Sequence, residues 1–232
     1  MRRLGIVAVG LALAGLIAVA GCGGGNEEPA SAGTLAASPL ATKEASPTLS
    51  APSPTPPVET RAELEALLKS MALTLADLPS GFTVVGEDFT TGEEAATDWL
   101  LSYAGVYSAE SLLGEQQVWA SVVLYEDANR AGEDFASAAK EAAPGLWAGD
   151  DNVKPVPMSF AQVGEESAAF QVKAPNEVPV LGVVESTMQL VYFRRGRALG
   201  LVATVVAQGP PMTQELEAMA RKLDQRMMEA LE

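Results

Sequence analysis

All thirteen aromatic residues of this 232-residue chain fall between Phe82 and Phe193. Large apolar side chains supply most of the area that a core buries, so the core-bearing region starts late in the chain. The length otherwise suits one domain, or one and a half. The chain carries 15 basic and 30 acidic residues and no histidine, for a net charge of −15. Such a surface repels phosphate backbones and anionic headgroups, which argues against a nucleic-acid partner. The single cysteine excludes an intramolecular disulfide. A folded part of about 170 residues buries enough surface to do without one.

Met1-Arg2-Arg3 is a short positive start, and every residue from Leu4 to Val19 is apolar or glycine. That run suits the apolar stretch of a secretory signal peptide and is short for a transmembrane span, which needs about 20 residues. Val19-Ala20-Gly21-Cys22 follows. An aliphatic residue, two small residues and a cysteine resemble the bacterial lipobox. The resemblance implies a signal peptide over residues 1–21, cleavage before Cys22, and diacylglycerol with palmitate-like acyl chains on and beside that thiol. Two or more such chains give lasting attachment to a membrane. The expected location is the extracytoplasmic face of the cell membrane, or an outer membrane where the organism has one. Loss of Arg2 and Arg3 with the leader would bring the mature chain to about −17. The alternative is an uncleaved N-terminal anchor helix.

Residues 22–60 read as a lipidated cysteine and a disordered linker. Gly23-Gly24-Gly25 opens the segment, seven of the fifteen prolines follow, and Ser, Thr and Ala fill the gaps. Without a hydrophobic period it cannot bury enough surface to offset its ordering entropy. It would span roughly 35 Å as a coil and up to about 120 Å if extended as polyproline. Ser and Thr beside Pro are also O-glycan acceptors by composition.

Residues 61–232 read as a single globular domain. Thr60-Arg61-Ala62-Glu63 forms a capping box, and Leu64, Leu67, Leu68 and Met71 continue at helical spacing. A turn over 74–82 leads into a strand at Phe82 to Val85. Thr91-Gly92-Glu93-Glu94 is a second capping box, predicting a helix over roughly 92–103 with Ala95, Ala96, Trp99 and Leu100 inward. Gln117 to Tyr125 is β-rich. Asp127 is expected to cap a helix with Ala131, Phe135, Ala138 and Ala139 inward, stopped by Pro144 and Gly145. Further strands are expected at Pro157–Val163, Ala168–Lys173, Val183–Phe193 and Ala198–Ala207, with a tight turn at Arg195-Gly196. Thr213 is expected to cap a terminal helix with Leu216, Met219, Ala220, Leu223, Met227, Ala230 and Leu231 as its apolar stripe. The order predicts an α+β fold, an antiparallel sheet with helices packed on it as a layered sandwich. Both halves end with a strand and then a helix, which allows a two-fold repeat, although side-by-side identity is low.

Four short motifs stand together: Asp77-Leu78-Pro79-Ser80-Gly81-Phe82, Tyr125-Glu126-Asp127-Ala128, Val163-Gly164-Glu165-Glu166-Ser167 and Tyr192-Phe193-Arg194-Arg195-Gly196-Arg197. Their layout resembles uncharacterised bacterial cell-surface lipoproteins and, more distantly, extracellular sensor domains such as that of the PknH-type kinases. Glu165 departs from the Asp of that pattern. The resemblance implies ligand sensing or an accessory role and carries over no catalytic residue.

The residue inventory leans the same way. Without histidine there is no Ser-His-Asp triad and no imidazole ligand, and an acylated Cys22 leaves no thiol nucleophile. No phosphate-binding glycine loop is present, and no cofactor or metal is expected. Glu93-Glu94, Asp150-Asp151 and Glu165-Glu166 are sequence neighbours, whereas a glycosidase needs two carboxylates across a cleft. An enzyme is therefore not expected, with an Asp/Glu-only hydrolase as the residual alternative. Asp150, Asp151 and Asn152 lack the alternating spacing of a calcium loop and suit a solvated one. Trp99, Tyr103, Tyr107, Trp119 and Trp147 either pack in the core or line a pocket. Trp147, in a Gly- and Asp-rich loop, has the least structural reason to be there. Arg194, Arg195 and Arg197 are the one basic cluster. Trp147 and these three arginines are the candidate ligand-binding residues, unless the arginines are simply a solvated hairpin tip. Expected partners are the membrane, through Cys22, and a small ligand or an envelope protein.

Overall fold

Apolar runs over 188–193 and 198–206, buried on both sides, form the middle of one sheet that the earlier β-rich stretches join. In the computed structural model of the chain, residues 59–95, 97–111, 114–141, 155–178 and 182–232 are described. The elements are α1 (Arg61–Met71), β1 (Thr83–Thr91), α2 (Gly92–Ala95), β2 (Leu101–Ser111), β3 (Gly114–Leu124), α3 (Ala128–Glu141), β4 (Val156–Pro157), β5 (Glu166–Val178), β6 (Gly182–Arg195), β7 (Ala198–Val206) and α4 (Thr213–Leu231). The seven strands lie in the order β1-β2-β3-β7-β6-β5-β4, and every neighbouring pair is antiparallel.

Helices cover both faces. On one face, Leu64, Leu68 and Met71 of α1 and Leu216, Met219, Leu223 and Met227 of α4 pack with Tyr107, Val122, Phe193 and Val202. On the other, Ala131 and Phe135 of α3 pack with Trp119, Leu190, Tyr192 and Leu201. Each fully buried Leu, Met or Phe in these layers contributes about 1.5–3 kcal/mol. The stripe expected on the terminal helix is the one observed, with Leu216, Ala220, Leu223 and Met227 fully buried. The first capping box also forms. Glu63 N–H donates to Thr60 Oγ1, and Thr60 N–H donates to Glu63 Oε2 at 2.7 Å. Asp127 caps α3 by accepting from the Asn129 and Arg130 amides at 2.8 and 2.9 Å.

Several expectations need correction. The second capping box forms, with Glu94 Oε2 bonded to the Thr91 amide at 2.8 Å. The helix it starts ends at Ala95, and Leu101–Ser111 is a strand. Alternating Leu101, Tyr103 and Tyr107 are buried on the face shared with α1. Pairing on both sides, with Thr91 and with Leu124 at Leu101, outweighs the weak helical pattern. The strand expected to begin at Phe82 runs on to Thr91. Of the run expected at Pro157–Val163, only Pro157 lies in a strand, which begins one residue earlier at Val156, and the Met158 amide adds one bond to the Ala169 carbonyl at 2.9 Å. Proline donates no ladder bond, and this is the edge of the sheet. The last hairpin turns at Gly196-Arg197, one residue later than expected, because Arg195 already pairs with Ala198. Gly196 takes the left-handed φ of 53° that the turn requires. Thr213 does not cap α4. Its hydroxyl bonds Gln189 Oε1 at 3.0 Å and satisfies a buried amide instead. Pro144 and Gly145 lie outside the described residues.

The strand registers carry a two-fold pattern. A shift of 84 residues (Gly114 to Ala198) carries Ser111↔Gly114 onto Arg195↔Ala198 and Phe89↔Tyr103 onto Lys173↔Thr187. The same shift turns the central pair Gln116↔Val206 into Gly200↔Val122. Helix α1 on β2 and β3 answers α4 on β6 and β7, whereas α3 breaks the pattern by packing on β6 and β7 from the opposite face. Among the described residues, no helix is long and apolar enough to cross a membrane.

Candidate functional site

The β6–β7 hairpin ends in the basic cluster, and the fold delivers a carboxylate to each of its guanidiniums. Arg194 and Arg195 are adjacent on a strand, so they point to opposite faces. Arg194 meets Glu165, just before β5, at 2.7 Å and Glu166, the first residue of β5 and its cross-strand partner, at 2.6 Å. Arg195 grips Asp224 of α4 with two parallel bonds, Nε to Oδ1 at 2.9 Å and Nη2 to Oδ2 at 2.8 Å. Arg197 does the same with Glu59, at 2.8 and 2.7 Å. Bidentate forks of this kind are the strong, directional form of the ion pair.

The loop before β5 completes the clasp. Gly164 has a φ of +67°, and a Cβ there would overlap the Arg194 carbonyl oxygen. Its amide donates to Asp224 Oδ2 at 3.1 Å, and the Glu165 amide donates to the Arg194 carbonyl at 2.9 Å. Glu165 Oε1 accepts from the Gly196 amide at 3.1 Å. The hydrogen bonds of Arg197 hold the Glu59 carboxyl below its usual range, against a smaller opposing effect of burial. The carboxylates of Asp224 and Glu59 in turn raise Arg195 and Arg197.

The three arginines thus share one hairpin end but not one face, Arg194 and Arg195 pointing to opposite sides of the sheet, and four carboxylates pair with them. An anionic ligand at this tip would compete with Glu59, Glu165, Glu166 and Asp224 for the same forks. Sequence reading missed those partners because they are remote, 138 residues apart in the case of Arg197 and Glu59. Asp224→Ala should cost about 1.5–3 kcal/mol in urea denaturation, since it strips a charged acceptor from both Arg195 and the Gly164 amide.

The other candidates are placed as follows. Cys22, Trp147, Asp150, Asp151 and Asn152 lie outside the described residues. Trp99, Tyr103, Tyr107 and Trp119 are buried in the two cores. Burial pushes the phenols of Tyr103, Tyr125 and Tyr192 up, aided at Tyr103 by Glu87 and at Tyr125 by Asp134, so all three stay neutral. Glu94 is occupied as a helix cap, and Glu165 and Glu166 both face Arg194. Among the described residues, no group of three or more His, Cys, Asp or Glu could hold a metal ion.

No protein-family model matches the chain, and no curated protein does. Among solved structures, the extracellular domain of PknH from Mycobacterium tuberculosis aligns with it at 13% identity and a TM-score of 0.45. The alignment covers 71% of this chain and 96% of that one.

Proposed function

We propose that the chain is a lipid-anchored extracytoplasmic module, residues 1–21 being the signal peptide, that binds or senses rather than performs chemistry. One observation carries the reading: the sole cysteine stands at Cys22, behind an apolar leader and Val19-Ala20-Gly21. Glu59, at the end of the Pro/Ser/Thr-rich stretch, is clasped by Arg197, and α1 begins two residues later at Arg61. A leash over residues 22–60 would therefore leave the domain beside the β6–β7 hairpin. The chemistry available around that hairpin is ion pairing, which suits positioning more than turnover.

Expression of the full-length chain in a bacterial host with labelled palmitate tests the anchor. The wild-type protein should carry label and partition with membranes, with an acylated Cys22 as its mature N-terminus by mass spectrometry. Cys22→Ser should lose the label entirely. A wild-type chain that keeps Met1, or ends in a bare cysteine, refutes the reading.

A second reading, an accessory subunit of an envelope assembly, is favoured by the exposed aliphatic residues on β1, Val84 and Val85.

A further inference from the structure

Strands β5 and β6 run on together past the rest of the sheet. The β4 pairing ends at Val156↔Gln171, and the β7 pairing begins only at Thr187↔Val206. Five pairs, from Ala174↔Ser186 to Val178↔Gly182, therefore have no strand beside them among the described residues. Five residues at about 3.3 Å each carry this ribbon roughly 16 Å beyond β7. The two-fold pattern shows that the sheet does not need its end. A shift of 84 residues lays Thr91↔Leu101, the last pair of β1 with β2, on Pro175↔Glu185. After Thr91 the chain folds back and buries Trp99. After Pro175 it pairs three more times.

Exposure rises along the ribbon. Ser186 at its base is 8% exposed, and Val183 is 73% exposed, the highest value among the exposed large apolar residues described. Lys173 and Glu185 form an ion pair of 2.8 Å at the same base. From Val178 to Val184 the sequence is Val-Pro-Val-Leu-Gly-Val-Val, without a polar side chain. Pro179, Val180 and Leu181 lie outside the described residues, and the described contact residues are Gly182, Val183 and Val184. One exposed valine is ordinary. A valine near the end of a projecting ribbon, in an uncharged run, marks a contact surface.

We propose that the end of the β5–β6 ribbon is a membrane contact, dipping into the headgroup boundary of the bilayer to which the chain is anchored. The inference rests on the lipid-anchor reading. Size decides between lipid and protein. Three pairs beyond Pro175↔Glu185 fall far short of the roughly 20 residues a side of a stable protein interface. The same limit applies to a second copy, which also carries −15. A bilayer demands no matching shape, and an anchored chain holds the ribbon at high effective concentration, so burial of a few aliphatic side chains is enough. Reach is sufficient. Val183 and Arg195 lie on one strand, about 40 Å apart at 3.3 Å per residue, and Glu59 is clasped at the Arg195 end. The leash extends to about 120 Å. At the headgroup boundary the outward main-chain groups of the ribbon still meet water, so none enters the hydrocarbon unpaired.

The test uses the full lipidated chain in phosphatidylcholine vesicles that contain a doxyl-labelled lipid. With the Cys22 thiol carrying lipid, Val183→Cys offers one thiol for a fluorescent dye, and Gln225→Cys, at an exposed position of α4, is the control. The labelled lipid should quench the dye at 183 at least twofold more than at 225. Phosphatidylglycerol should weaken the quenching, because Glu185 and the net charge oppose an anionic surface. Val184→Asp changes a position beyond β7, should keep the circular dichroism of the chain, and should at least halve the quenching at 183. Equal quenching at the two positions, or quenching unaffected by Val184→Asp, overturns the proposal and leaves the anchor standing. A chain that fails to float with the vesicles removes the anchor and the ribbon contact together. A dye at 183 that is shielded from water but not quenched by lipid would assign the ribbon to a second copy and overturn the proposal as well.

Discussion

Asp77→Ala is expected to destabilise the domain by about 3–5 kcal/mol, the usual result of stranding one half of a buried ion pair. For a domain of this size that is a fall of about 6–20 °C in Tm. Asp77 closes the turn after α1, with its side chain only 7% exposed. Its Oδ2 accepts from the Thr74 amide at 2.7 Å, the Thr74 hydroxyl at 2.8 Å and Arg226 Nη2 at 2.7 Å. Arg226 comes from α4 and also donates Nη1 to the Ala72 carbonyl at 3.1 Å. Its Nε is already buried without a partner among the described residues. Removing the carboxylate leaves that guanidinium with one carbonyl to face. Adding Arg226→Met should recover part of the loss, because the penalty lies in the unpaired charge. A pH dependence follows. Burial works to raise the Asp77 carboxyl, but the Thr74 and Arg226 donors together bring it below its ordinary 3.8. A folded-state value below the unfolded one means the contribution is complete above about pH 4 and fades as pH falls through the folded value. Urea midpoints between pH 7 and pH 2 should show that loss in the wild-type chain. Asp77→Asn should have a flatter acid limb, and an unchanged limb would show that Asp77 is not a principal acid-sensitive group.

How much of this was legible in the sequence depends on the range of the interaction responsible. Helices α1, α3 and α4 were readable because one helix face needs only local spacing, as with Leu64, Leu68 and Met71 or Leu216, Met219 and Leu223. The last hairpin was readable because glycine marks its turn. Strand β2 was not. Ser102, Ala104 and Gly105 have little β-propensity, and the pattern of Leu101, Tyr103 and Tyr107 becomes meaningful only with partners on both sides. The candidate site was half legible. The arginines were conspicuous, but no local signal shows that Glu59 or Asp224 neutralises them. Cys22 and Trp147 lie outside the described residues, so their roles rest on the sequence.

The misread segment also yields the second large effect, because at Gly92 helix propensity and packing have opposite signs. In an exposed helix interior, glycine to alanine gains about 0.8–1 kcal/mol. Here the chain turns back after one helical turn: the Thr97 amide reaches the Gly92 carbonyl at 2.8 Å, and the Leu100 amide reaches the Leu124 carbonyl at 2.8 Å. The reversal seats Trp99 in the core at 4% exposure and starts β2. A Cβ at Gly92 would overlap the Trp99 carbonyl oxygen and lie 2.8 Å from the Thr97 carbonyl oxygen. Both obstacles are backbone, so no rotamer change relieves them. Gly92→Ala should therefore destabilise by about 3 kcal/mol, at the upper end of overpacking costs, with a fall of about 6–12 °C in Tm. Trp99 would shift toward water and redden the fluorescence. Gly86→Ala is the internal control, since its Cβ would meet nothing within 4 Å and should change stability by about 0.5 kcal/mol at most. Were Gly92→Ala the more stable of the two, the helix would continue past Ala95, and the pairing of Leu101 with Thr91 and Leu124 could not stand.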